Sequence, residues 1–234
     1  MSGSLDYKLR LAGMKPKRIT LLTSGTGVYT PTADNALLFV RVQGGGAGGV
    51  TGGSAGGGGG GFMAEDFIRA SIAGIAYSVG AGGGPSVDGS VSVLGNIRAM
   101  GGLYDTSTGG GYGGFAGLNG GSANGTVVTT ATAIVRGVAG GAGGSSSTSG
   151  LIAGQPVNNS STIITTPLSN YLNKFSNGVG NQSGGNSFYG VGGAAQTTPA
   201  AGNYGAGGGG GASPGSGLGG CIEIWDYGTL GQLS

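Results

Sequence analysis

Apolar and polar residues along this chain fall into short β-type runs parted by glycine. Ile19 to Thr23 is β-prone, Ser24-Gly25-Thr26-Gly27 is a turn, and Val28-Tyr29-Thr30 resumes extended chain until Pro31 interrupts the ladder. Asp34-Asn35 supplies another turn, and Leu37 to Val42 then runs to the edge of a glycine block. Phe67-Ile68-Arg69 and Ile75 to Val79, parted by Ala73-Gly74, make a second pair. Ser90 to Leu94 and Ile97-Arg98-Ala99, flanking Gly95-Asn96, make a third. Near the other end, Cys221 to Tyr227 alternates with period two, which predicts a closing strand with Ile222 and Ile224 on one face and Glu223 and Trp225 on the other. Helical periodicity is absent except, weakly, at Leu168–Lys174.

Composition changes how the rest of the chain is read. Of 234 residues 62 are glycine and only 8% are charged, so large side chains form islands at Ile19–Val42, Phe62–Val79, Val91–Met100, Thr126–Val138, Leu151–Phe175 and Cys221–Leu230. Glycine loses the most conformational freedom on folding and brings no side chain to bury, so a conventional core does not easily offset it. Three readings compete for the glycine tracts. A flexible linker does not need strand signals between its tracts, or a strong strand after the last one. Collagen requires glycine at every third position, and Gly44 to Gly61 breaks that period at once. The third reading is a side-by-side array of extended glycine helices with about three residues per turn, whose backbone groups all point outward to neighbours. In that array a run such as Gly56 to Gly61 belongs in the interior. Alanine and serine, as in Ser54-Ala55, Ala206 and Ala212, are expected on the outside. Stability then comes from backbone hydrogen bonds, each worth about 0.5–1.5 kcal/mol net.

Charge and chemistry narrow the function classes. A net charge of +2, nine tyrosines not interleaved with arginine and a single Arg-Gly step at Arg136-Gly137 argue against nucleic-acid binding. Lys8, Arg10, Lys15, Lys17 and Arg18 form a weakly basic cluster suited to a solvated arm or docking segment. The one cysteine, Cys221, reads as a small buried hydrophobe. No apolar run is long enough for membrane insertion, and the first residues lack a signal-peptide core. Histidine is absent, and no glycine is followed by lysine, so there is no phosphate loop. A paired-carboxylate glycosidase would have to draw on Glu65, Asp66, Asp88 and Asp105, and the scatter of the eight acidic residues disfavours it. The Asn-x-Ser/Thr triplets at Asn124, Asn158, Asn159 and Asn181 read as ordinary polar loop residues. The expectation is a non-enzymatic protein with no cofactor and no metal.

The order of sections carries a resemblance. "ITLLTSGTGVYTPTADNALLFVRVQGGGAGG" resembles the opening of the glycine-rich domain at the distal ends of phage and prophage tail fibres. "GGGGGGFMAEDFIRASIAGIAYSVGAGGGP" and "SVDGSVSVLGNIRAMGG" are similar to the next two sections, and "GGGGGASPGSGLGGCIEIWDYG" to the closing strand. The likeness covers Ile19 to Gly228. It implies a mainly β fold with a small β-sandwich or β-sheet element, a bundle of polyglycine II helices with variable loops, and almost no α-helix. It also implies a receptor-binding adhesin, similar to those on T-even-like long tail fibres and located at the distal tail fibre of the virion. There is no long repetitive shaft here. The expected organisation is therefore a docking arm at 1–18, a β-rich attachment part at 19–100, and the glycine-helix bundle with its loops and closing strand at 101–234.

The partners so implied are a bacterial surface receptor (protein, pilus or polysaccharide) and other tail or baseplate proteins met through the N-terminus. A homotrimer is expected, with a monomer capping a trimeric fibre as the alternative. Aromatic residues in glycine-rich surroundings are the candidate receptor contacts: Tyr104, Tyr112, Phe115, Tyr171, Phe175, Phe188, Tyr189 and Tyr204. Tyrosine gives rigid contact area with a polar tip. The competing role for each ring is to cap the glycine array and shield its backbone. The alternative for the whole chain is a glycine-rich structural or ice-binding protein.

Overall fold

The computed structural model describes residues 15–52, 57–104, 136–138, 143, 156–157 and 182–229. Among the described residues ten strands fall in the order β1 (Arg18–Leu22), β2 (Thr26–Tyr29), β3 (Ala36–Gln43), β4 (Met63–Ala70), β5 (Ile75–Ser78), β6 (Ser92–Leu94), β7 (Ile97–Ala99), β8 (Arg136–Val138), β9 (Pro156–Val157) and β10 (Cys221–Asp226). No helix occurs among the described residues, and the weak helical pattern at Leu168–Lys174 lies outside them. The protein is mainly β, with two antiparallel sheets ordered β1-β10-β3-β4-β8-β9 and β2-β5-β6-β7.

Alternation along the strands explains why the sheets face one another. Leu38, Val40 and Val42 of β3 meet Ile222 and Ile224 of β10 on one face of the larger sheet. Tyr29, Leu94, Ile97 and Ala99 of the smaller sheet close over them. The closing strand has the predicted two faces, and it is inserted between β1 and β3, pairing Ile224 with Thr20 and with Val40. Burying one such aliphatic side chain stabilises by about 1.5–3 kcal/mol, so this small core supplies a large share of the fold's stability.

The glycine segments begin where these strands end. Segment 44–50 continues β3, 57–62 leads into β4, 80–84 follows β5, and 214–220 leads into β10. Two polar side chains seal the junction. Gln43 donates its Nε2 to the carbonyls of Gly61 (2.9 Å) and Gly44 (3.1 Å), and Ser92 Oγ accepts from Gly80 N (2.8 Å) while donating to Gln43 O (2.6 Å).

Beyond the junction, successive N–H groups of segment 44–50 turn to different neighbours in rotation. Gly44 donates to Phe62 O (2.9 Å), Gly45 to Ser90 O (3.0 Å) and Gly46 to Leu218 O (2.8 Å); then Ala47 to Gly59 O (2.9 Å), Gly48 to Val87 O (3.0 Å) and Gly49 to Gly215 O (2.9 Å). Each donor thus returns to the same neighbouring segment three residues later. The carbonyls of Gly45, Gly46 and Ala47 accept from Gly102, Gly83 and Gly208, which belong to three further segments. Segment 205–211 repeats the rotation. Gly207 and Gly210 donate to Gly185 and Gln182, Gly208 and Gly211 to Ala47 and Val50, and Gly209 to Thr197.

Close approach, rather than flexibility, demands glycine here. A Cβ on Gly44, Gly48, Gly49 or Gly58 would overlap a neighbouring carbonyl, that of Met100, Gly84, Gly209 or Ala47 respectively. Gly57 to Gly61 are buried, in keeping with an interior run, while Gly56 and Ser54-Ala55 lie outside the described residues. Ala212 is exposed, but the expected outside position of Ala206 is corrected: it is fully buried, as is Ala47. The physical reason is local. Ala47 sits between Gly46 and Gly48, where a methyl would strike the carbonyls of Ala206 and Gly84, yet its own methyl is accommodated. What admits alanine is the direction of its Cβ between neighbours, not its depth.

This steric map makes a paired prediction. Gly48→Ala is expected to cost about 3 kcal/mol, the upper range for overpacking. Gly84→Ala, where an added Cβ meets nothing within 4 Å, should change stability by less than about 1 kcal/mol. Denaturant unfolding of the two variants beside the wild type checks it.

Candidate functional site

The outer face of the larger sheet is set by register. Ile19, Trp225, Phe39 and Phe67 lie in one row across β1, β10, β3 and β4, and Leu21, Glu223, Arg41 and Glu65 lie in the next. Sheet geometry keeps such neighbours in contact. The rings of Phe39 and Phe67 are 4.8 Å apart, and those of Phe39 and Trp225 5.1 Å. Ile19 and Leu21 remain 58% and 50% exposed, so the apolar face runs out to the β1 edge.

Arg41 is the centre of this face. Its guanidinium carbon lies 5.0 Å from the Trp225 ring centroid, 5.1 Å from Phe188 and 5.2 Å from Phe39, and its Nε donates to Glu65 Oε2 at 3.2 Å. Each cation–π contact is worth about 0.5–1 kcal/mol at such partly exposed sites. One cation thereby ties three strands, β3, β4 and β10, to the turn that carries Phe188.

That turn brings together three of the predicted aromatic contacts. Ser187 Oγ donates to Tyr204 O (2.5 Å) and accepts from the N–H groups of Tyr189 and Gly190 (both 3.2 Å), which folds 187–190 back over the sheet. Phe188 and Tyr189 meet edge-on at 5.1 Å, and Tyr189 and Tyr204 at 6.2 Å. Tyr189 donates its hydroxyl to Glu223 Oε2 at 2.9 Å. Tyr104 is placed apart from this group, its N–H donating to Asp88 Oδ1 at 2.9 Å. Tyr112, Phe115, Tyr171 and Phe175 lie outside the described residues. Phe39, Arg41, Phe67 and Trp225 were not singled out as site residues from sequence. Their signal was the period-two alternation of β3 read against that of β10, which becomes a surface only once the register is known.

Two groups of this region, Tyr189 and Cys221, are held neutral. Burial, with added repulsion from Cys221 and Glu223, drives the Tyr189 phenol far above its usual range, so it stays a donor to Glu223. Burial likewise pushes the Cys221 thiol up to about 12, leaving it protonated and unreactive. Among the described residues no three His, Cys, Asp or Glu side chains gather as metal ligands would. The arrangement is a rigid aromatic and charged face, suited to packing or recognition. No protein-family model and no curated protein matches this sequence.

At the end of β10 the fold is closed by Asp226. Its fully buried carboxylate accepts from Thr32 N (2.7 Å), Gly228 N (2.8 Å), Thr32 Oγ1 (2.9 Å) and Tyr29 Oη (3.1 Å), with Arg18 Nη2 at 3.7 Å. Burial opposes the charge, but these hydrogen bonds outweigh it and hold the carboxyl below its ordinary value. Arg18 also lies over the Tyr29 ring at 4.8 Å and donates to Thr30 O, so the clasp joins β1, β2 and β10.

A carboxyl with a lowered folded-state pKa contributes stability that is complete above its unfolded value of about 4 and is lost as pH falls through the folded value. Asp226→Asn should therefore cost about 2–3 kcal/mol at pH 7. The gap to the wild type should stay constant down to about pH 5 and narrow below about pH 4. Unfolding free energies across pH 2–8 check both features.

Proposed function

We propose that this chain is a tail-fibre adhesin, a non-enzymatic receptor-binding protein whose glycine segments form a bundle of polyglycine II helices. The observation that carries the reading is the rotation of hydrogen-bond partners with a three-residue period, at Gly44 to Gly49 and again at Gly207 to Gly211. An extended helix of about three residues per turn with no internal hydrogen bonds requires this pattern. A stem held by backbone bonds leaves side chains free for the surface, so connecting loops can vary without loss of the fold. The order of strand and glycine sections that resembles phage tail-fibre tips supplies the biological setting.

In this reading the two sheets are the attachment part. The residues before β1 dock onto another tail or baseplate protein, and the adhesin acts at the distal fibre of the virion. The assembly is a homotrimer, or a monomer seated on a trimeric fibre. The partner is a bacterial surface molecule, and weak individual contacts gain avidity from several copies per particle. Tyr104, Phe188, Tyr189 and Tyr204 are candidate contacts within the described residues. For Tyr189 the bond to Glu223 favours the capping role.

The test is binding of fluorescently tagged purified protein to a panel of Gram-negative and Gram-positive cells. Saturable binding to a subset of strains, competed by untagged protein, is expected. Uniform absence of binding together with measurable thermal hysteresis would replace the adhesin with an ice-binding protein.

A further inference from the structure

We draw no further inference here: the strongest candidate, the apolar outer face of the larger sheet where Phe67, Phe39, Trp225 and Ile19 form a row out to the β1 edge, carries nothing because no observation among the described residues shows what covers it.

Discussion

The structure depends on how closely glycine backbones approach when no Cβ stands between them. Donor–acceptor distances of 2.8–3.0 Å link Gly44 to Gly49 to three different neighbours in turn, and adding a methyl at most of these positions would overlap a carbonyl oxygen. In an ordinary domain, glycine is costly because it buries nothing. Here the backbone itself is the packing surface, and an unpaired buried amide would cost about 1–3 kcal/mol. Pairing in every direction is therefore a condition of existence for these segments.

The sheets supply what glycine cannot, which is a starting register. β3, β4 and β10 deliver three glycine segments side by side, already aligned by the pairing of Gln43 with Met63 and Cys221. Gln43 and Ser92 carry the hydrogen bonding across the junction, and Phe62, fully buried, plugs it with apolar volume. On the outer face, Arg41 and Tyr189 bind the near end of the glycine segments to the sheet. At the opposite edge the Asp226 clasp fixes β1 and β2 to the closing strand. The glycine segments are thus anchored to the sheets at one end.

Much of the local structure was legible in the sequence. The runs at Ile19, Val28, Leu37, Ile75 and Ile97 became strands, and the two faces of the closing strand followed from its alternation. Non-local pairing was not legible. Nothing in "CIEIWDYG" says that it inserts between β1 and β3, so the gathering of Phe39, Arg41 and Trp225 could not be foreseen from any one strand. Burial of Ala206 escaped for a related reason, since the space available to a methyl is decided by carbonyls from distant segments. The candidate aromatics were visible as residue types. Which of them share a surface depended on the turn that Ser187 makes, and four of them fall outside the described residues.

Residue-resolved amide hydrogen exchange tests most directly whether glycine backbone forms an ordered core. The amides of Gly45, Gly46, Ala47 and Gly48, each bonded to a neighbouring segment, should exchange as slowly as those of Val40 and Ile224 within the larger sheet. Exchange of those glycine amides at the rate of an unstructured chain, while the sheet stays protected, would contradict the account and return the glycine tracts to the status of linkers.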